Sequence, residues 1–313
     1  MRMQYLNQTS VTEFILIGLS QEPRTRVLLS VLFLIIYLVT IFGNLILICT
    51  VIVTPRMHTP MYYFLCNLSF LDLFYSSCTI PKMLCDMIFS VRGRISLIGC
   101  MMQMSTSLFL GETECILLAV MAYDRYVAIC FPLRYMVIMS WRMCKNITII
   151  VWLGSFLSTH IPTIIKPLTF CGGNKVNNFV CESISLLKLV CGDTSFHETM
   201  ILCGSLLTSL APFAFILVSY ACVITSILKM QPTDGKTKAF STCASHLTVV
   251  LMFYGTSMSV YLGPTKNVSG KQKYVTVIYS VVTPMLNPLI YSLRNNDVKV
   301  ALRNILRKNK EHT

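Results

Sequence analysis

Charge is scarce in this chain. Only 12% of its 313 residues are Asp, Glu, Lys or Arg, about half the share found in soluble domains. With 54% of residues hydrophobic, an ordinary soluble domain is excluded. Acidic residues are the scarcest charge, 13 against 26 basic, for a formal net charge of +13. That excess does not point to nucleic acid. The basic residues sit in short clusters between apolar runs, and no basic-aromatic binding motif occurs. No CxxC pair occurs among the 14 cysteines, which argues against zinc. There is no internal repeat and no low-complexity stretch. The N-terminal MRMQYLNQTSVTEF lacks an apolar h-region, so no cleaved signal peptide is expected.

Long apolar runs are what the chain has in quantity. A spanning helix needs about 20 apolar residues. Seven runs approach or exceed that: Val27–Val53, Met61–Ile80, Leu97–Ala122, Ile147–Ile165, Thr199–Leu228, Ala239–Gly263 and Tyr274–Leu293. The expected fold is all-α, a bundle of seven transmembrane helices. Residues 1–26 form an extracellular N-terminus, 27–293 the bundle and 294–313 a cytoplasmic tail. Asn7-Gln8-Thr9 is a glycosylation sequon, which places the N-terminus outside if Asn7 carries a glycan. The count of basic residues supports this orientation only weakly, with 14 of 26 Lys and Arg on the inner side. In the tail, Val298, Leu302, Ile305 and Leu306 share one helical face, and Lys299, Arg303 and Arg307 repeat on another. That pattern predicts a short amphipathic eighth helix lying on the inner leaflet.

Ionisable residues inside a membrane are costly and mark function. Asp124 and Arg125 sit at the inner end of the third run, within Met121–Tyr135 (MAYDRYVAICFPLRY). Paired, they are cheap to hold, and a partner offering Arg125 something better opens the pair. Glu114 and Arg125 are 11 residues apart, about three turns, so they share a face, and Ser107 shares it too. On the seventh run, Ser280, Pro284, Asn287 and Tyr291 form a polar inward stripe. Asn44, Asp72, Glu114 and Asn287 can meet near mid-membrane, where such a cluster could hold a cation or share a proton, or form a static packing knot. Glu112 points away from Glu114. It either lines a cavity or is hydrogen-bonded in a helix contact. On the sixth run, Leu247, Leu251, Tyr254, Met258 and Tyr261 line one side. Most cysteines lie in apolar runs and read as packing residues. Cys100, Cys171, Cys181 and Cys191 stand apart on one side of the membrane, as disulfides in an oxidising space would. Four cysteines allow three pairings.

These residues resemble the rhodopsin-like G-protein-coupled receptors, and more closely their odorant (olfactory) branch. The general class rests on Gly43-Asn44, Asp72, Asp124-Arg125-Tyr126, Pro212 with Tyr220, and Asn287-Pro288-Leu289-Ile290-Tyr291. The odorant branch rests on the string Met57–Leu65 (MHTPMYYFL), all of Met121–Tyr135, Ser219-Tyr220, Lys238–His246 (KAFSTCASH) and Pro284–Tyr291 (PMLNPLIY). Tyr254 stands where other rhodopsin-like receptors usually carry tryptophan, which is typical of the odorant branch. Where relatives often have Asp after the middle loop cysteine, this chain has Glu182.

The resemblance implies the disulfides Cys100–Cys181 and Cys171–Cys191. It implies a small odorant bound between the third, fifth, sixth and seventh spans. Helical phase then selects Met104, Ser107, Leu108, Gly111 and Glu112 on the third, and Leu207 and Thr208 on the fifth. Met258 and Tyr261 on the sixth and Thr276 and Ser280 on the seventh complete the lining. It further implies a switch in which the sixth span pivots near Tyr254 and Arg125 leaves Asp124 to meet a stimulatory, cyclic-AMP-raising G protein. The switch and coupling set is Asp124, Arg125, Tyr126, Tyr220, Lys238, His246, Tyr254, Asn287, Pro288 and Tyr291. Expected partners are therefore an odorant, that G protein and the lipid bilayer of the plasma membrane, with no nucleic acid. No cofactor is expected beyond a sodium ion that Asp72 and Glu114 could hold. A non-olfactory receptor of the same class is the alternative. A transporter is disfavoured because neither repeated halves nor paired broken helices occur. An intramembrane enzyme is disfavoured because His160 and His246 lie alone on separate spans.

Overall fold

The computed structural model describes residues 11–89, 93–171, 173–229, 234–261, 272–294 and 298–304. Asn7, the tail beyond residue 304, and the side chains of Lys238 and Tyr261 lie outside what is described. Seven long helical segments form the body, named here as spans in chain order. They are Pro23–Val53, Pro60–Ile88, Leu97–Cys130, Trp141–Ile165, Ser195–Lys229, Asp234–Tyr261 and a seventh running from Gln272 to Arg294. Six are long and apolar enough to cross a membrane. The second carries Asp72, Lys82 and Asp86 and reaches 29 residues with that load. Lys82 and Asp86, one turn apart, neutralise each other. The apolar run had ended this span at Ile80. It continues to Ile88 because Pro81 removes one backbone bond without stopping the helix, and the charges beyond it are paired.

Local chemistry sets several ends. Prolines at the first turn start the first and second spans, where a missing N–H costs nothing. Ser96 and Ser140 cap the third and fourth by accepting from the Gly99 and Met143 amides, at 3.1 and 3.4 Å. The fifth and seventh spans each contain a wide π-type turn, Leu206–Leu210 and Ile278–Val282. Such turns shift the phase of everything on one side of them.

The third span is the axis of the bundle, with Leu110, Leu117, Leu118 and Ala122 fully covered by neighbours. The first, fourth and fifth spans present Val27, Leu28, Ile150, Ile164, Leu207 and Val218 outward, as lipid-facing helices do. Where the first and seventh meet, Gly43 lies against Pro288. A Cβ there would sit 3.1 Å from the proline ring. Residues 298–304 are helical, with Val298 and Ala301 buried, Leu302 packed on the core, and Val300 and Arg303 exposed.

One end of the bundle is closed by a three-stranded sheet. It consists of β1 (Glu13–Leu16), β2 (Arg94–Ser96) and β3 (Lys175–Val176), in the order β2-β1-β3. β1 runs antiparallel to β2, with Phe14 opposite Ile95, and parallel to β3, with Ile15 opposite Lys175. Phe14 is fully buried and meets Phe170 edge-on. Gly93 precedes β2 at φ 55°, and a side chain there would strike the Leu16 carbonyl. Disulfides join Cys100 to Cys181 and Cys171 to Cys191 at this same end. Residues 1–26 were expected only as a tail, and the sheet is an addition to that reading.

Candidate functional site

The polar residues expected at mid-membrane do come together. Asn287 donates to both oxygens of Asp72, at 3.0 and 3.1 Å, and both residues are buried. Asn287 also faces Glu114, so it lies between the two carboxyl groups. Asn44 takes a different role. Its amide donates to the carbonyls of Thr40 and Pro284, at 3.0 and 3.2 Å, tying the first span to the seventh beside its proline. Three oxygens in this cluster, on Asn44, Glu114 and Asn287, are buried without a hydrogen-bond partner.

Toward the end opposite the sheet, Arg125 and Asp124 are looser than expected. Their nearest charged side-chain atoms are 3.9 Å apart, too far for a hydrogen bond. The strong partner of Asp124 is Tyr135, whose hydroxyl donates at 2.7 Å. Burial and the neighbouring Asp124 push the Tyr135 phenol upward, which keeps it protonated as the donor. Tyr135 stands at the end of the Met121–Tyr135 motif, where the sequence pattern alone assigns it no role. The chain turns back through Pro132–Arg134 and Tyr135–Ile138, which returns Tyr135 to Asp124. Tyr126 packs edge-on to Phe131. Tyr220 and His246 share a 2.7 Å hydrogen bond joining the fifth and sixth spans. His246, Tyr291 and Arg125 line a cavity of about 20 Å³ with Met61, Leu65 and Met121. The free ring nitrogen of His246 and the hydroxyl of Tyr291 are both buried and unpaired.

Between these two regions Tyr254 is fully buried, and its hydroxyl donates to the Cys115 carbonyl at 2.6 Å. Cys115 also meets Ser209 of the fifth span, at 3.7 Å between sulfur and oxygen. These contacts form a floor where three spans are joined. Met104, Leu108, Gly111 and Cys115 follow one stripe of the third span above and into that floor. Beside Gly111 there is room for a side chain. Met104 is buried against Cys100 and Cys181, and Leu108 packs on the same cluster. Ser107 is half-buried. Met258 packs one turn from Tyr254. Thr276 and Ser280 are fully buried, with Ser280 donating to the Thr276 carbonyl at 2.6 Å.

Two expected lining residues point elsewhere. Leu207 is 71% exposed on the lipid face. The wide turn Leu206–Leu210 rotates the span, so that Ser205 and Ser209 take the inward face, while Thr208 is half-buried and bonded to the Gly204 carbonyl. Glu112 faces the fourth span, accepting from Ser158 at 2.7 Å and Thr159 at 3.2 Å. It belongs to a helix contact and not to the pocket. A cavity of about 520 Å³ opens between β1 and the second span, lined by Met83, Met87, Phe179, Arg26 and Asp86 among others. It includes none of the residues expected to hold a ligand.

Comparison with known proteins agrees with this arrangement. The squid rhodopsin structure superposes with a TM-score of 0.70 over 91% of this chain and 86% of that one, at 20% identity, which shows the fold alone. The family model described as olfactory receptor matches residues 33–309. The chain belongs to the olfactory receptor family. Olfactory receptor 2A7 of Mus musculus is 48% identical over 303 residues, covering 96% of this chain and 97% of that one. Olfactory receptor 13F1 of Homo sapiens is 46% identical over 309 residues, covering 98% and 97%.

As an olfactory receptor the chain is a multi-pass membrane protein and not an enzyme. In this receptor Gln103 escaped the sequence reading, and Glu182 was noted there without a role. Gln103 accepts from the Cys181 amide at 3.0 Å and donates to the Cys78 carbonyl at 3.1 Å, pinning the disulfide loop to the second and third spans. A glutamine inside an apolar run was the available signal. Glu182, buried in the same loop, reaches the seventh span.

Proposed function

We propose that this receptor sits in the plasma membrane with residues 1–26 outside and residues 294–313 in the cytoplasm. It binds small volatile odorants above the Tyr254 floor and activates a stimulatory G protein, raising cyclic AMP. The observation that carries the reading is the Tyr254–Cys115 bond. It fastens the sixth span to the third directly beneath the odorant-facing residues, so a bound molecule that alters this contact alters the position of the sixth span. A ligand shifts such an equilibrium only by its differential affinity for the two packings. At the inner end, Arg125 is weakly held and Tyr135 bonds one oxygen of Asp124 in its place, which suits an arginine that must change partners. Leu133, 99% exposed beside Arg134, supports a docking surface for an apolar contact with the G protein.

The mid-membrane cluster fits a sodium ion. Hard cations take oxygen ligands, and Asn44, Glu114 and Asn287 each hold a buried oxygen without a hydrogen-bond partner, Asn287 being bonded to Asp72. Asp72 and Glu114 would supply the charge and the two asparagines the neutral oxygens. A bound ion would favour the packing that keeps these groups together.

The test is an odorant panel read by cyclic AMP in cells expressing the chain, with Arg125→Ala at matched surface expression. Loss of the odorant response in that variant is expected. An undiminished response would remove Arg125 from the coupling step.

A further inference from the structure

The second outer loop is fixed to the third span by the Cys100–Cys181 disulfide and by Gln103. One residue beyond the disulfide, Glu182 crosses to the seventh span. Its carboxyl accepts from the Tyr279 hydroxyl at 3.2 Å and from the Asn178 amide at 2.9 Å, and Thr276 also bonds to it. Glu182 is 5% exposed, and Tyr279 and Thr276 are buried as well. Tyr279 lies within the wide turn Ile278–Val282, and Thr276 is bonded through its carbonyl to Ser280. A rigid loop is therefore joined to the one irregular stretch among the described residues of the seventh span, at the two residues that orient the expected odorant wall.

We propose that Glu182 is a positioning residue for the odorant pocket. It ties the outer loop to the wide turn of the seventh span from a buried site among neutral donors, where the tie responds to the state of its carboxyl. The proposal rests on the odorant-receptor reading for its function, but the tie itself does not.

Among the described residues, charged groups around Glu182 do not hold it ionised. The loop contributes Asn178, and its Lys188 is exposed. The seventh span contributes Tyr279 and Thr276, while its Lys273 is engaged with the Gly18 carbonyl and the Tyr274 ring. Tyr75 of the second span and Val260 of the sixth pack against Tyr279. Burial raises the Glu182 carboxyl to about 7, and the bonds from Tyr279, Thr276 and Asn178 pull it down only in part. The sign follows from linkage. The closed form holds a proton near neutral pH that an opened, solvated carboxyl releases, so acid favours closure and closure weakens as pH rises through about 7. Between pH 8 and pH 6 the closed-to-open ratio rises about tenfold.

Infrared difference spectra of the purified receptor in nanodiscs, between pH 6 and pH 8, test the proton directly. A carboxylic-acid carbonyl band titrating near pH 7 is expected in the wild type and absent from Glu182→Gln. Tyr279→Phe, which removes one donor to the carboxylate, should move the midpoint upward. The functional arm uses a non-titrating alcohol, ketone or ester that activates the receptor. Its potency should shift severalfold between pH 8 and pH 6 in the wild type. Glu182→Gln, a mimic of the protonated form, should give the wild-type pH 6 value at both. A missing band, an unmoved midpoint in Tyr279→Phe, or a potency shift that survives in Glu182→Gln overturns the proposal. The infrared arm needs no agonist, so failure of the odorant reading leaves it intact.

Discussion

Removing one oxygen, in Tyr254→Phe, tests the link between floor and switch. The ring remains in a fully buried site against Phe213 and Phe253, so packing is preserved. What disappears is the 2.6 Å bond to the Cys115 carbonyl. A bond of this kind contributes about 0.5–1.5 kcal/mol net. If it exists only while the sixth span lies against the third, its loss multiplies the active fraction by about 2- to 12-fold, taking RT as about 0.59 kcal/mol. Ligand-free cyclic AMP, normalised to surface receptor, reads this directly. Thermal unfolding in detergent should move to a lower temperature. Cys115→Ser is the control, because the acceptor is a backbone carbonyl and survives the change. Basal output unchanged in Tyr254→Phe, alongside a lowered melting temperature, would show that both packings make the bond equally. The floor would then not be part of the switch.

The remaining predictions follow from burial. Asn287→Leu removes both hydrogen bonds to Asp72 and leaves a buried carboxyl group unsatisfied, a loss of about 1–3 kcal/mol readable as a lower melting temperature. Adding Asp72→Leu should recover much of it, and no recovery would refute the pairing. Leu207→Ala should leave odorant potency within about threefold, since the side chain meets lipid, whereas Ser280→Val should shift it by about fivefold or more, given about 1–3 kcal/mol for leaving a buried partner unsatisfied. Dose–response curves for the two variants at equal surface expression decide between the faces.

The spans were legible because each needs a long, predominantly apolar run, and lipid enforces that rule without regard to neighbours. The polar stripe Ser280–Asn287–Tyr291 was legible for the same reason: a membrane helix has no cheap place for Asn except inward. Leu207 was misplaced because phase counting assumes 3.6 residues per turn, and the wide turn Leu206–Leu210 breaks the count without changing composition. Glu112 was ambiguous because its partners, Ser158 and Thr159, lie on another span, and nothing local distinguishes a hydroxyl-lined contact from a cavity. The sheet was invisible. β1, β2 and β3 have two to four residues each and come from segments distant in sequence, too short to leave an alternating pattern. Tyr135 was missed because its role depends on a reversal of the chain after Pro132.

Gly43 against Pro288 has a consequence for how much change the bundle tolerates. An added methyl at position 43 meets a ring that cannot swivel away as a flexible side chain does. The neighbouring helix would have to yield by a few tenths of an ångström. Asn287, the residue just before that ring, would shift with it, and so would its grip on Asp72. The smallest possible substitution, at a site with no charge and no ligand, thus reaches the most polar point in the membrane interior.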